Sequence, residues 1–331
     1  MGRAAPRPRV RRASARVRAT VVIAAHNEGD LLARTVRACL ATAPSCELEI
    51  IVADDASTDG SVADVERRFP RVRIVGHRRR TGVAATKDLG ARRAKGDVLV
   101  FLDGHCKPER GALERLVLDV ECFQGDAVVM PRIAALDERT WCNSRRCTGA
   151  AFGLDPATLD GFWADAGEMR RWGPFVESPA FIGCCAAVGR RLYRKLRGFD
   201  RDMVEWGLED LDFGLKAWLM GHPVVSDVSV TIGHRFRRAF TTYAVAHESV
   251  LANKLRMARR HLGEAHWRRW AARVRGQEPA DVWRRAWKLF SLRRASVEAD
   301  RRYFMARRVH DEFWWAEHCG AVWPDGPARR G

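Results

Sequence analysis

Five short apolar runs, separated by helical patterns, constrain this chain more than any other feature. They span residues 20–25 (TVVIAA), 49–54 (EIIVAD), 72–77 (VRIVGH), 97–102 (DVLVFL) and 127–132 (AVVMPR). Each is close to continuously apolar, as strands buried on both faces require. Amphipathic stretches lie between them. Leu32, Val36, Cys39 and Leu40 mark one predicted helical face, and Leu113, Leu116, Val117 and Val120 another. Strand and helix taking turns predicts an α/β fold, with a mostly parallel sheet flanked by helices. Ligand sites in such sheets gather at the C-terminal ends of the strands.

What the chain places at those ends is polar and chemically specific. The fourth run delivers Asp103, Gly104 and His105. An oxygen ligand and an imidazole, one residue apart, suit a manganese-type ion better than a thiol-loving one. Such an ion could hold the diphosphate of a nucleotide-activated substrate. The same residues also read as a turn cap and an ordinary polar loop. After the first run, His26, Asn27 and Glu28 could receive a base or ribose. After the second, Asp55 could accept from a uracil imide or a ribose hydroxyl, while Ser57, Thr58 and Asp59 read as a turn and helix cap. This loop lacks Gly-x-Gly-x-x-Gly, and no Walker lysine motif occurs in the chain, which disfavours those two nucleotide-binding classes.

Residues 134–180 are rich in Trp, Gly, Pro and polar residues without a clean period, and are expected to form long loops over the site. A strand is expected over 181–188, a helix from near Gly189, and another over 208–221, where Leu211, Leu215, Trp218 and Leu219 share a face. Trp206-Gly207-Leu208-Glu209-Asp210 opens that last helix. Acids in a first helical turn suit the macrodipole; alternatively, one is a general base, with Trp206 stacked on a sugar. Gly233-His234-Arg235-Phe236-Arg237 offers either a packed histidine or a third metal ligand, flanked by guanidinium groups that could meet phosphate oxygens. From Thr241 to about Trp315 the pattern is helical and rich in Trp and Arg.

Charge and cysteines bound the setting. The formal net charge is +17, concentrated in the first 18 residues and after Arg235, and favours anionic partners: phosphates, nucleic acid or an acidic membrane face. The basic N-terminus has no apolar core of a secretory signal, and no run approaches the roughly 18 apolar residues of a membrane span. Nine cysteines show no metal-finger spacing. Cys142 with Cys147, or Cys184 with Cys185, could pair, but in a chain this long reduced thiols in a cytosol are expected. The expected location is cytoplasmic, with peripheral contact at the inner face of the membrane left open.

HNEG, DDAS, DVLVFLDGHC, GFD at 198–200, WG-x-E and GH-x-FR, in this order, resemble the GT-A fold glycosyltransferases of family 2 and the related polypeptide N-acetylgalactosaminyltransferases. The resemblance implies a GT-A (Rossmann-like) domain over 19–262, between a disordered basic arm at 1–18 and a helical extension at 263–331. It implies manganese, or magnesium, on Asp103, His105 and His234, and a UDP-sugar donor with its uridine at Asp55. Further donor contacts are expected at His26, Asn27, Glu28, Lys87, Gly183 and Arg237, with Lys87 standing where family 2 has an arginine. There are departures. Leu208 replaces the second glycine of Trp-Gly-Gly-Glu, and Asp210 replaces the asparagine that follows. A Glu-Asp ending resembles the inverting enzymes, which implies Asp210 as base with Glu209 directed at the acceptor or donor sugar. The metal set instead resembles a retaining family.

The implied activity is metal-dependent transfer of a hexosyl or N-acetylhexosaminyl group, with inversion, to a hydroxyl of a peptide, glycan or small molecule. The alternatives are a retaining N-acetylgalactosaminyltransferase-like enzyme and a non-enzymatic binder of nucleic acid or membrane surface. The last would leave the carboxylates and histidines idle, so a nucleic-acid partner is not expected. A nucleotidyltransferase would want a basic, glycine-rich loop where HNEGD brings acids.

Overall fold

The computed structural model describes residues 18–42, 47–167, 169–236 and 245–326. The basic arm apart from Arg18, and Arg237, lie outside these residues. The first half is built from β1 (Arg18–Ala25), α1 (Asp30–Ala41), β2 (Glu47–Asp54), α2 (Ser61–Arg68), β3 (Arg73–Gly76), α3 (Val83–Arg93) and β4 (Val98–Asp103). β1 runs parallel to β2 and β4, and β2 runs parallel to β3. Ala25 pairs with Asp54 and Ala24 with Asp103. This register ends the three central strands on one line, so the residues that follow them leave the sheet at one edge. Ala19 to Ala25 are all buried, as the continuous apolar runs require. Of the predicted α1 face, Leu32, Val36 and Cys39 are buried but Leu40 is 42% exposed. Leu40, eight residues and about 80° round from Leu32, lies at the edge of the apolar stripe rather than under it.

The chain continues through β5 (Cys106–Pro108), α4 (Ala112–Cys122) and β6 (Val128–Asp137). Residues 134–180, expected as long loops, instead carry the end of β6 and then β7 (Cys142–Gly149), β8 (Ala151–Leu154), β9 (Gly161–Ala164), β10 (Arg171–Trp172) and β11 (Phe175–Glu177). These strands are too short and polar to show a period, and most of them pair with longer neighbours. β12 (Cys185–Gly189), α5 (Arg190–Lys195), α6 (Glu209–Leu219) and β13 (Val224–His234) follow. The strand expected from residue 181 begins at Cys185, because Gly183 and Cys184 form a turn.

β12 lies antiparallel between β4 and β6, and β13 is parallel to β6. β7 pairs with β6, and β11 with β13. β8 and β9 form a separate hairpin. One pairing matters most for the site: β13 runs antiparallel to β5 with His234 opposite Cys106, which sets His234 beside the turn after β4. The sheet is thus parallel through β4-β1-β2-β3 and mixed beyond it, with helices packed on it.

The C-terminal part is helical, as expected: α7 (His247–His261), α8 (Glu264–Gln277), α9 (Ala280–Leu292), α10 (Arg294–Met305) and α11 (Glu312–His318). Trp267, Trp270, Trp315 and Trp323 are buried there. Among the described residues, no helix is long and apolar enough to cross a membrane.

A buried ion network joins α7 to α6. Asp200 accepts from Arg256 at 2.7 and 2.9 Å and also from Arg260. Asp212 accepts from Arg260 at 2.5 Å and lies 2.9 Å from His261 Nε2 and 3.2 Å from Lys216 Nζ. Burial works against both carboxylates, but the arginines hold their pKa values below the usual range. Removing one side of such a network leaves an unpaired buried charge. Arg260→Ala is therefore expected to lower the unfolding free energy by about 3–5 kcal/mol in denaturant titration. A midpoint equal to that of the unsubstituted chain would contradict this.

Candidate active site

The aligned strand ends open into a cavity of about 490 Å³. His26 and Glu28 after β1, Asp55 after β2, Lys87 on α3, and Asp103 and His105 at the end of β4 all line it. So do Gly183 before β12, Trp206, Glu209 and Asp210 at the start of α6, and His234 at the end of β13. Two residues expected at the site stand apart. Arg237 lies outside the described residues. Asn27 is absent from this lining: its Oδ1 accepts from the Thr58 N–H at 2.8 Å, and its own N–H donates to Ser57 Oγ at 3.1 Å. It therefore ties the loop after β1 to the loop after β2.

Three donors converge at the centre. The ligand atoms of Asp103, His105 and His234 all lie within 4.8 Å of one another. His234 Nε2 is 3.2 Å from His105 Nε2 and 3.7 Å from Asp103 Oδ2. Glu28 Oε2 lies 2.9 Å from His105 Nδ1, so a proton there leaves Nε2 as a lone pair facing His234. Burial, helped by His105 and Lys87, lowers the pKa of His234 and keeps the imidazole neutral. His234 Nδ1 is buried without a hydrogen-bond partner among the described residues. Two imidazole nitrogens and a carboxylate, facing one another, fit a divalent transition metal better than the all-oxygen preference of magnesium.

Lys87 connects this cluster to the acids of α6. Its ammonium is buried, 2.8 Å from the Gly183 carbonyl oxygen, 3.0 Å from Glu209 Oε1 and 3.4 Å from Asp103 Oδ1. Burial disfavours its charge, but the carboxylates of Asp103, Glu209 and Asp210 raise its pKa. Reciprocally, Lys87 holds the Asp103 carboxyl low against its own burial. Asp210 goes the other way: burial, then the neighbouring Glu209 carboxylate, push it up to about 7. The Gly183 and Leu211 N–H groups donate to its two oxygens at 2.7 and 2.8 Å and fix its orientation. Gly183 leaves little room there for a side chain. A Cβ would meet Asp210 Oδ2 and Glu209 Oε1 at 3.0 Å and Lys87 Nζ at 3.2 Å.

At the other end of the cavity, Asp55 accepts from the Thr81 N–H and hydroxyl at 2.7 and 2.9 Å and from the Gly82 N–H at 2.9 Å. Its carboxylate thus braces the loop between β3 and α3. Gly82 has φ +103°, and a Cβ would sit 2.7 Å from the Glu205 carbonyl oxygen, so only glycine lets this loop meet the one that carries Trp206. Asn253 on α7 supports that second loop, donating to the carbonyls of Val204, Trp206 and Gly207. Trp206 is 42% exposed. Leu208 stands at φ +74° and caps α6, a conformation that costs a β-carbon residue about 1–3 kcal/mol.

The sequence reading did not find Arg80, Phe152 or Leu159, which also line the cavity. Arg80 carried a signal, the basic run after the third strand. Phe152 and Leu159 had none, because they come from the hairpin region read as loop. Arg235, flagged for phosphate, forms an ion pair with Glu138.

Residues 20–197 match glycosyl transferase family 2, and residues 166–237 match the N-terminal domain of galactosyltransferase. Polypeptide N-acetylgalactosaminyltransferase 12 of Mus musculus is 30% identical over 250 residues, 72% of this chain and 43% of its own length. Polypeptide N-acetylgalactosaminyltransferase 15 of Homo sapiens is 31% identical over 258 residues, 74% of this chain and 40% of its own. The chain thus spans about two fifths of these curated relatives. Among solved structures, GalNAc-T7 with UDP, GalNAc and Mn2+ aligns at TM-score 0.66 and 20% identity, covering 94% of this chain and 59% of that one. Pyrobaculum calidifontis mannosyltransferase PcManGT with GDP-Man and Mn2+ aligns at TM-score 0.51 and 17% identity, covering 89% and 86%. At these identities the structures establish a shared fold.

The charge balance around Lys87 gives a direct expectation. In carbon-13 carboxyl NMR, Asp210 should titrate at about 7, and Lys87→Met should raise that value by removing the cation that favours the carboxylate. Titration of Asp210 in the ordinary range near 4 would contradict this placement of charge.

Proposed function

The chain belongs to glycosyl transferase family 2, and from that membership and the geometry of the cavity we propose that it moves a sugar from a UDP-sugar to an acceptor hydroxyl. The carrying observation is that one cavity holds both a two-histidine, one-carboxylate donor set and, across Lys87, a carboxyl raised to about 7. Asp103, His105 and His234 would hold manganese, which when bound supplies Lewis acidity and neutralises the departing diphosphate. The relatives' names and the ligands of the aligned structures support a nucleotide-sugar donor.

The chain's own groups then have distinct tasks. Glu28 orients His105, and Lys87 keeps Asp103 charged. Asp55 braces the loop of Thr81 and Gly82 at the uridine end, alongside His26. Asp210, held by two backbone N–H groups, takes the acceptor's hydroxyl proton on a carboxylate oxygen. Glu209, tied to Lys87, faces the reacting sugar, and Trp206 closes over it and excludes water. Such a base, placed to activate an attacking hydroxyl, favours inversion at the anomeric carbon. The acceptor is a hydroxyl of a peptide, a glycan or a small molecule, and the transferred group a hexose or N-acetylhexosamine.

Assay of a panel of UDP-sugars for hydrolysis and transfer tests the reading. Asp103→Ala and His234→Ala should each abolish turnover, as should excess EDTA, and full turnover in chelator would remove the metal from the mechanism. Asp210→Asn should keep donor binding and lose about 10²–10⁴-fold in transfer. The pH dependence follows in sign. Below about 7 Asp210 is protonated and cannot accept a proton, so the rate falls with decreasing pH, and Asp210→Asn removes that limb. A limb that persists in Asp210→Asn would assign the base to another residue.

A further inference from the structure

α9 has two faces of opposite purpose. Ala286 and Phe290 are buried, with Val282, Trp283 and Leu289 packed against the core. The other face carries Arg284, Trp287, Lys288, Ser291 and Leu292, all exposed. Their spacing of three, four, seven and eight residues puts them on one stripe. Trp287 is 37% and Leu292 70% exposed, and Trp287 stacks on Trp283 with ring centroids 5.5 Å apart. Arg285, seven residues before Leu292 and so beside it at one edge of this face, is engaged by Glu248 and Asp281 at 2.9 and 2.8 Å. For Arg284 and Lys288 there is no acidic partner within ion-pair distance among the described residues. From Val282 to Val297 the chain holds five basic residues and no acid.

We propose that this face of α9 docks on an anionic phospholipid surface. Trp287, which also leans on Phe290 with ring centroids 5.2 Å apart, and the open Leu292 share this face with two cations. A bilayer interface accepts both: the indole and the leucine enter the headgroup and acyl boundary while the cations meet lipid phosphates. A nucleic-acid backbone would engage the cations but leave Leu292 in water. α9 packs on α7 through the Arg285–Glu248 ion pair, and α7 contributes Val250 to the cavity lining. A chain docked in this way holds its cavity close to the membrane, where a lipid-borne acceptor would be presented. The docking is independent of the reaction proposed above.

Co-sedimentation of the full chain with sucrose-loaded vesicles tests this, using phosphatidylcholine alone and an equimolar mixture with phosphatidylglycerol. Binding is expected to the anionic vesicles only and to weaken with added salt. Arg284→Ala/Lys288→Ala should lower the partition coefficient about 30-fold, at roughly five-fold per lost charge. Leu292→Ser, at a site too exposed to disturb folding, should lower it about three-fold or more. No binding to anionic vesicles, or binding that all these substitutions leave unchanged, would overturn the proposal. So would tight salt-sensitive capture of an oligonucleotide that depends on Arg284 and Lys288 in a chain that ignores vesicles.

Discussion

The buried ammonium of Lys87 is the interaction on which the rest of the site depends. It stands between Asp103 and Glu209, at 3.4 and 3.0 Å, so two carboxyl groups from distant parts of the chain share one fixed cation, and Asp210 also feels its charge. An unpaired buried charge is costly, and this arrangement spares each partner that cost only while all are in place. The consequence is asymmetry. Asp103, nearest the imidazoles, stays ionised at any ordinary pH, whereas Asp210 is driven toward neutrality by its burial and by Glu209. Carboxyl groups whose pKa values are pushed apart can take opposite roles, one a permanent anion and the other an exchanger of protons.

That asymmetry needs rigid supports, and the chain supplies them from outside the cavity. α6, which begins with Glu209 and Asp210, is anchored through Asp212 to Arg260 and His261 on α7. The same helix, through Asn253, holds the loop of Trp206 and Gly207. The C-terminal helices are therefore part of what positions the acids.

Much of this was legible in the sequence because it follows from strand ends. Continuous apolar runs in β1, β2 and β4 predict burial, and burial of parallel strands brings His26, Asp55, Asp103 and His105 to one edge. The residues alone leave His234 as either a packed histidine or a third metal ligand, and the resemblance selects the second, since its place depends on the pairing of β13 with the three-residue β5, for which no periodicity exists. Asn27 has a structural use that its place at a strand end does not reveal. A short amide side chain hydrogen-bonds readily to nearby backbone, and here it ties the loop after β1 to the loop after β2. Phe152 escaped notice because a four-residue hairpin strand gives too few alternations to count, and Leu159 because it lies in the connection between β8 and β9. Leu208 in a left-handed conformation is a local rule broken at the base-bearing turn, where strain is commonly tolerated.

The central claim is that the two-histidine, one-carboxylate cluster and the nucleotide end of the cavity work as one binding site. Calorimetric titration of UDP in manganese, repeated after excess EDTA, addresses it most directly. Binding in the micromolar range that disappears with the chelator is the expected result. Equal affinity in both buffers, or no binding in either, would contradict it.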